Sequence, residues 1–268
     1  MTTLNLAALH SATKYPSILT YHALGDRGAL LEEATPFHGE VVATEKIDGA
    51  NGRIIVMPDG QDYVIGSREE LFHAKGDRVF NPASRIVEAL KPLADHLTAG
   101  PFPLTGNRIT TLYLEVYGSQ VGAAQKQYAG EDSIGYRLFD VSSVDADVLG
   151  WGQERIAAWR DRGGQDWWDE GALQNLTATE GIPLTPRLAV VQGDELPTSV
   201  EAMHQWLTAI LPSTLVPLDQ GAGGKPEGVV LRSSDRTTIA KARFVNYEKT
   251  LRHNPRQVQG GKKPATTG

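Results

Sequence analysis

Apolar and polar residues alternate through several stretches of the chain, and each such stretch reads as a strand. Val41 to Glu45 is the first and Arg53 to Met57 the second. Pro58-Asp59-Gly60 then turns the chain back into Tyr63 to Ser67, which predicts a hairpin. LYLEVYG (112–118) and YRLFDV (136–141) add two more; GVVLR (228–232) and TIAKARF (238–244) close the series. Helical spacing appears in three places. Over residues 81–98 it is carried by Ile86, Val87, Leu90 and Leu93, with Pro92 as a weak point. Gln153 to Arg162 is a second helix, ended by Gly163-Gly164. Residues 197–211 form a third, with Thr198 or Ser199 as N-cap. Strands far outnumber helices and do not alternate with them, so the expected class is α+β with mainly antiparallel sheet.

Composition narrows the setting more than the chemistry. With 268 residues, 40% of them hydrophobic, the chain can bury a core as one large domain or two small lobes. It has no cysteine, which removes disulfides, thiolate metal sites and cysteine nucleophiles, and fits a reducing cytoplasm. The opening MTTLNLAALHSATKYPS has neither the basic nor the apolar part of a signal peptide. No stretch approaches the roughly 20 apolar residues of a membrane helix, so a cytoplasmic protein with no membrane partner is expected. The net charge of −6 repels nucleic acid overall. Any such partner must be held by a local basic patch.

Four short stretches carry candidate chemistry. In ATEKIDGANGRIIV (43–56), Lys46 stands between Glu45 and an Ile-Asp-Gly turn, as either a solvated charge at a hairpin mouth or a nucleophile. In LYLEVYG the aliphatics take one face, and Glu115 shares the other with Tyr113 and Tyr117. A solvated strand face would look the same. Glu227 precedes Gly228, a residue that permits close backbone approach but equally marks a loop-to-strand boundary. Lys241 and Arg243 share a face opposite Ala240, Ala242 and Phe244, which makes either an exposed edge or an anion clamp.

Taken in order, these segments resemble the covalent nucleotidyltransferases, the superfamily of ATP-dependent ligases and mRNA-capping enzymes. The nearest likeness is to RNA ligases that seal nicks in duplex RNA. Lys46-Ile47-Asp48-Gly49-Ala50-Asn51 resembles the nucleophile motif, with Asn51 in the form RNA ligases favour. Gly66-Ser67-Arg68, Glu115-Val116-Tyr117-Gly118 and Phe139-Asp140-Val141 are similar to the next three motifs. Glu227-Gly228-Val229-Val230 and Lys241-Ala242-Arg243 resemble the last two. The likeness spans residues 40–245. It implies a nucleotidyltransferase catalytic domain, an ATP-grasp-like two-lobed antiparallel sheet with peripheral helices, over residues 1–255. Residues 256–268 are expected to be a disordered tail.

The same resemblance implies a reaction and its residues. Lys46 attacks the α-phosphate of ATP, giving lysyl-AMP; AMP passes to a 5′-phosphate RNA end, and a 3′-hydroxyl displaces it. Asp48 and Glu115 are implied at the ribose hydroxyls, Phe139 on the adenine face and Arg68 at phosphate. Glu45 and Asn51 complete the nucleotide-binding set. Lys241 and Arg243 are implied as catalytic cations neutralising the α-phosphate, and Glu227 as ligand to Mg²⁺ or Mn²⁺. An ordinary lysine is only about 0.04% neutral at pH 7, a handicap of roughly 4–5 kcal/mol. Carboxylates close to Lys46 worsen it, so metal must mask them.

Two departures stand out. Arg243 replaces the lysine many relatives carry, and a guanidinium does not titrate as an ammonium does. Little chain follows Lys241, so an appended OB or helical domain is not expected, and an accessory protein is a candidate clamp for RNA. The late basic cluster, Lys249, Arg252, Arg256, Lys262 and Lys263, is the other candidate. The rival readings are a capping-type guanylyltransferase, a minimal DNA ligase and a non-catalytic RNA-binding relative.

Overall fold

The computed structural model describes residues 4–76, 79–80, 85–100 and 106–253. The start of the helix expected over 81–98, the tail from 256, and Arg256, Lys262 and Lys263 lie outside the described residues.

Two sheets organise the chain. One has five strands in the order β1 (Leu19–Thr20), β14 (Ile239–Arg243), β13 (Gly228–Ser233), β4 (Glu40–Lys46) and β12 (Arg187–Gln192). The other has seven: β11 (Asp166–Trp167), β10 (Ile134–Asp145), β9 (Arg108–Gly118), β5 (Ala50–Val56), β6 (Tyr63–Ser67), β7 (Leu71–Ala74) and β8 (Val79–Phe80). A small ribbon pairs β2 (His22–Leu24) with β3 (Leu30–Ala34). All these ladders are antiparallel except β1 with β14. The helices are α1 (Leu6–Ala12), α2 (Arg85–Leu97), α3 (Gln125–Tyr128), α4 (Gln153–Asp161), α5 (Glu170–Glu180), α6 (Val200–Ile210) and α7 (Phe244–His253). The class is α+β, as the patterning predicts. Among the described residues no helix is long and apolar enough to cross a membrane.

Alternation decides what each sheet buries. Ile54, Leu112, Leu114 and Val116 project from the seven-stranded sheet onto Ile86, Leu90 and Leu93 of α2. Ala43, Val229, Leu231, Ala240 and Ala242 project from the five-stranded sheet onto Met203 and Leu207 of α6 and Tyr247 of α7. Each sheet thus spends one face on its own helices, with about 25 cal/mol per Å² of apolar area removed from water as the driving term. Part of each other face borders a shared cavity, while Ile55, Val64 and Ile109 of the seven-stranded sheet pack on Leu9 of α1.

Several local expectations change. β4 and β5 do not pair with each other: β4 lies between β12 and β13, and β5 between β9 and β6. Lys46 is therefore at a crossing between sheets, and the hairpin-mouth reading fails. The β5–β6 hairpin forms as expected. Tyr113 and Tyr117 are 0% and 1% exposed, so the face they share with Glu115 is not solvated. Pro92 does not end α2, which runs to Leu97. The last strand stops at Arg243, and Phe244 already starts α7. Ser199, not Thr198, caps α6, accepting from the Ala202 N–H at 3.2 Å.

Candidate active site

Lys46, Gly228 and Arg243 lie side by side across three strands, because Gly228 of β13 is in register with Lys46 on β4 and Arg243 on β14. The middle position must be glycine. A Cβ there would sit 2.2 Å from the Ala242 carbonyl oxygen. Glu227, one residue earlier, uses the space between the two cations. Its Oε2 accepts a hydrogen bond from Lys46 Nζ at 2.6 Å. Its Oε1 lies 2.8 Å from Arg243 Nε, a close ion pair without hydrogen-bond geometry. One step along β14, Lys241 is opposite Val230, which is opposite Thr44 on β4. These three share the cavity face. Burial first, then repulsion from Lys46, Arg243 and Arg68, lowers the Lys241 ammonium pKa below its ordinary value.

The link from Lys46 to the other sheet is pinned at two of its amides. The Asp48 N–H donates to the Tyr128 hydroxyl at 2.8 Å, and the Gly49 N–H donates to Glu115 Oε1 at 3.0 Å. Gly49 approaches β9 so closely that a Cβ would lie 2.2 Å from the Val116 carbonyl oxygen. Burial pushes the Glu115 carboxyl up to about 7, against the pull of Lys46 and the Gly49 N–H. Asn51 faces Glu115 across β5 and β9, and its buried Oδ1 has no hydrogen-bond partner. That is an acceptor left for a ligand.

Phe139 owes its direction to a break in pairing. The β9–β10 register shifts between Leu138 and Asp140, so Phe139 has no partner on β9, and such bulges re-aim a side chain. Arg68, at the end of the β5–β6 hairpin, donates to Ser17 Oγ at 2.7 Å. A cavity of about 320 Å³ runs between the sheets. It lies at the small end of the 300–1,000 Å³ range of ligand sites.

Seven of the residues expected from sequence border this cavity: Glu45, Lys46, Asn51, Arg68, Glu115, Phe139 and Lys241. Asp48, Glu227 and Arg243 instead border an adjoining hollow beside Tyr128. Glu227 joins the two through Lys46. Glu45 offers the cavity no carboxylate. Its side chain accepts from Thr214 Oγ1 at 2.5 Å and from the Leu215 N–H at 2.9 Å, on the side away from Lys46. Among the described residues no group of three or more histidines or carboxylates could hold a metal by itself. Glu227 with phosphate and water is a donor set of the kind Mg²⁺ accepts.

Sequence reading missed the cavity's floor and one wall. Arg232 lines the cavity at 3% exposure. It contacts Glu170, and its Nη1 lies 3.4 Å from Asp140 Oδ1. Arg187 Nε reaches Glu170 at 2.9 Å. The signal for Arg232 was present, since it stands two residues beyond Val230 on the same strand face. The missed wall is Tyr15 to Ile18, between α1 and β1.

Comparison with known proteins follows the same stretch of chain. The sequence model of a family described as RNA ligase matches residues 39–245. A search of the curated proteins finds no match. Among solved structures, a lysine-to-alanine variant of Naegleria gruberi RNA ligase with ATP and Mn superposes with a TM-score of 0.51 at 13% identity, covering 88% of this chain and 63% of that one. A glutamate-to-alanine variant with ATP and Mn gives 0.51 and 13%, over 88% and 64%. The same ligase with pyrophosphate gives 0.51 and 13%, over 89% and 64%. The chain spans less than two thirds of the length of these structures, and at this identity the likeness shows a common fold.

Proposed function

The chain belongs to the RNA ligase family, and on that premise we propose that it joins RNA ends bearing a 5′-phosphate and a 3′-hydroxyl. ATP supplies the energy through lysyl-AMP on Lys46 and an RNA adenylate. The observation that carries this reading is the placement of Lys46 at the crossing between sheets, on the nucleotide-sized cavity, with Lys241 beside it. Three rival placements would not need that geometry: a solvated lysine, an exposed Lys-Arg edge, a bare strand boundary.

The chemistry follows from the side chains. Lys46 Nζ loses its proton and attacks the α-phosphorus; the bond to the bridging oxygen breaks and pyrophosphate leaves. Lys241 faces the oxygens on which charge grows, and Arg243 stands beside it on the same strand face. A divalent cation, Mg²⁺ or Mn²⁺, at Glu227 would neutralise the carboxylate that otherwise pairs with Lys46. Phe139 gives adenine a face, Glu115 and Asn51 give the ribose acceptors, and Arg68 meets phosphate. Glu45 contributes through its backbone. Asp48, directed to the adjoining hollow, acts from the side of Arg243. In the second step a 5′-phosphate oxygen displaces Lys46 from phosphorus, and in the third a 3′-hydroxyl oxygen displaces AMP. A cytoplasmic setting is part of the reading, supported by the lack of cysteine.

Incubation of nicked and single-stranded 5′-phosphate RNA with ATP and Mn²⁺, followed by denaturing electrophoresis, tests this. Sealed RNA is expected with ATP. Sealing only of DNA strands, or an adduct with GTP alone, would favour the minimal DNA ligase or capping-type reading.

A further inference from the structure

Tyr15 precedes the stretch that matches the RNA ligase family, yet its ring borders the nucleotide cavity and is only 7% exposed. The segment that carries it is fixed before and after it. Tyr113 donates to the Thr13 carbonyl at 2.9 Å, and Gln165 Nε2 donates to the Ala12 carbonyl at 3.1 Å. Beyond it, β1 pairs with β14 beside Lys241, and the Tyr21 N–H donates to the Lys241 carbonyl at 2.9 Å.

The ring itself is held at its hydroxyl and along its faces. Its hydroxyl donates to Asp140 Oδ2 at 2.9 Å and accepts from Arg236 Nη2 at 3.1 Å. Asp140 is 0% exposed and follows Phe139 in the chain, directly after the bulge. The Tyr15 ring meets Phe139 at 5.1 Å between centroids and 89° between planes. Tyr113 and Trp167 pack on its other sides at 4.9 Å and 5.3 Å. Phe139, unpaired at its bulge, thus has its neighbour Asp140 anchored and its ring braced by one and the same residue. A heterocycle stacked on Phe139 would have Tyr15 as a side wall at a right angle.

Resting on the ligase reading above, we propose that Tyr15 is a nucleobase-positioning residue, which aligns Phe139 and closes one side of the site for the purine of ATP. A ring braced in this way loses little freedom when the base arrives, and edge-to-face pairs of this kind favour fixed geometry.

Full-length Tyr15→Leu and Tyr15→Phe are compared with the parent in single-turnover adduct formation on Lys46, with ATP and with ribose 5-triphosphate, which lacks the base. Tyr15→Leu is expected to raise the ATP concentration for half-saturation about 5–10-fold, with the maximal rate changed less than 2-fold. Ribose 5-triphosphate should be used equally by both proteins. Tyr15→Phe keeps the ring but loses the bond to Asp140, so a rise of about 2–3-fold in half-saturation is expected with ATP and none without the base. Should Tyr15→Leu not fold, Tyr15→Phe carries the test, and its smaller ATP effect must again vanish without the base. Equal losses on both triphosphates, or no change in half-saturation, would overturn the proposal. A parent protein that forms no adduct with any triphosphate would contradict the ligase reading itself, before Tyr15 is altered.

Discussion

Glu227 holds Lys46 by a 2.6 Å bond and sets its other oxygen 2.8 Å from Arg243. The residue expected to attack phosphorus is therefore held in an ion pair with a carboxylate. On the proposed mechanism the tie must open before reaction, and a divalent cation at Glu227 would open it. Chelation of divalent cations is expected to leave adduct formation at background. Glu227→Gln removes that ion pair yet should still lose about 100-fold in rate at saturating metal, because the cation that assists at the phosphate is then poorly held. A Glu227→Gln rate equal to the parent's would show that the carboxylate only restrains Lys46.

Lys241 is expected to act on the transition state more than on binding. Its ammonium stands among Lys46, Arg243 and Arg68, and Glu227 offsets only part of their positive charge. Lys241→Met should lower the maximal rate of adduct formation roughly 10²–10³-fold and move ATP half-saturation little. Stopped-time assays over an ATP series separate the two. A change confined to half-saturation would make Lys241 a binding residue.

Glu115 gives the fold a pH dependence. Its carboxyl titrates at about 7 in the folded chain against an ordinary 4.5, chiefly through burial. The folded state therefore holds the proton more tightly, and this stability is complete below 4.5 and lost as pH rises through 7. Glu115→Gln should flatten the fall in unfolding free energy between about pH 5 and 8. Denaturant titrations across that range measure it, and an unchanged slope would place the titration elsewhere.

Glu45 is expected to matter for stability and not for the base. Glu45→Ala leaves the Thr214 hydroxyl and the Leu215 N–H without their buried acceptor, at a cost of about 1–3 kcal/mol. Its ATP half-saturation at a temperature where it is folded should match the parent's. A specific loss of ATP use with unchanged unfolding would return the carboxylate to the nucleotide.

Much of this was legible in the chain wherever alternation is strict. Ala240 and Ala242 bury while Lys241 and Arg243 turn the other way, as period two requires. The same rule applied to β4 would have put Glu45 opposite Lys46. The pairing of strands was not legible, because nothing local tells β4 that its neighbours come from residues 187–192 and 228–233. β12 is half-exposed and lacks clean alternation, and α7 follows β14 directly without a break. α1 carried one signal, the Asn5 cap accepting from the Ala8 N–H at 3.1 Å. Beyond the strand face of Arg232, the pairing of Arg232 and Arg236 with Asp140 and Glu170 had none. Its members lie up to 96 residues apart, and only tertiary structure joins them.

Peptide mass spectrometry after incubation with ATP and Mn²⁺ tests the central claim most directly. AMP should be found on Lys46 alone, and Lys46→Ala should carry none. AMP on another residue, or an adduct that persists in Lys46→Ala, would contradict the assignment of Lys46 as the nucleophile.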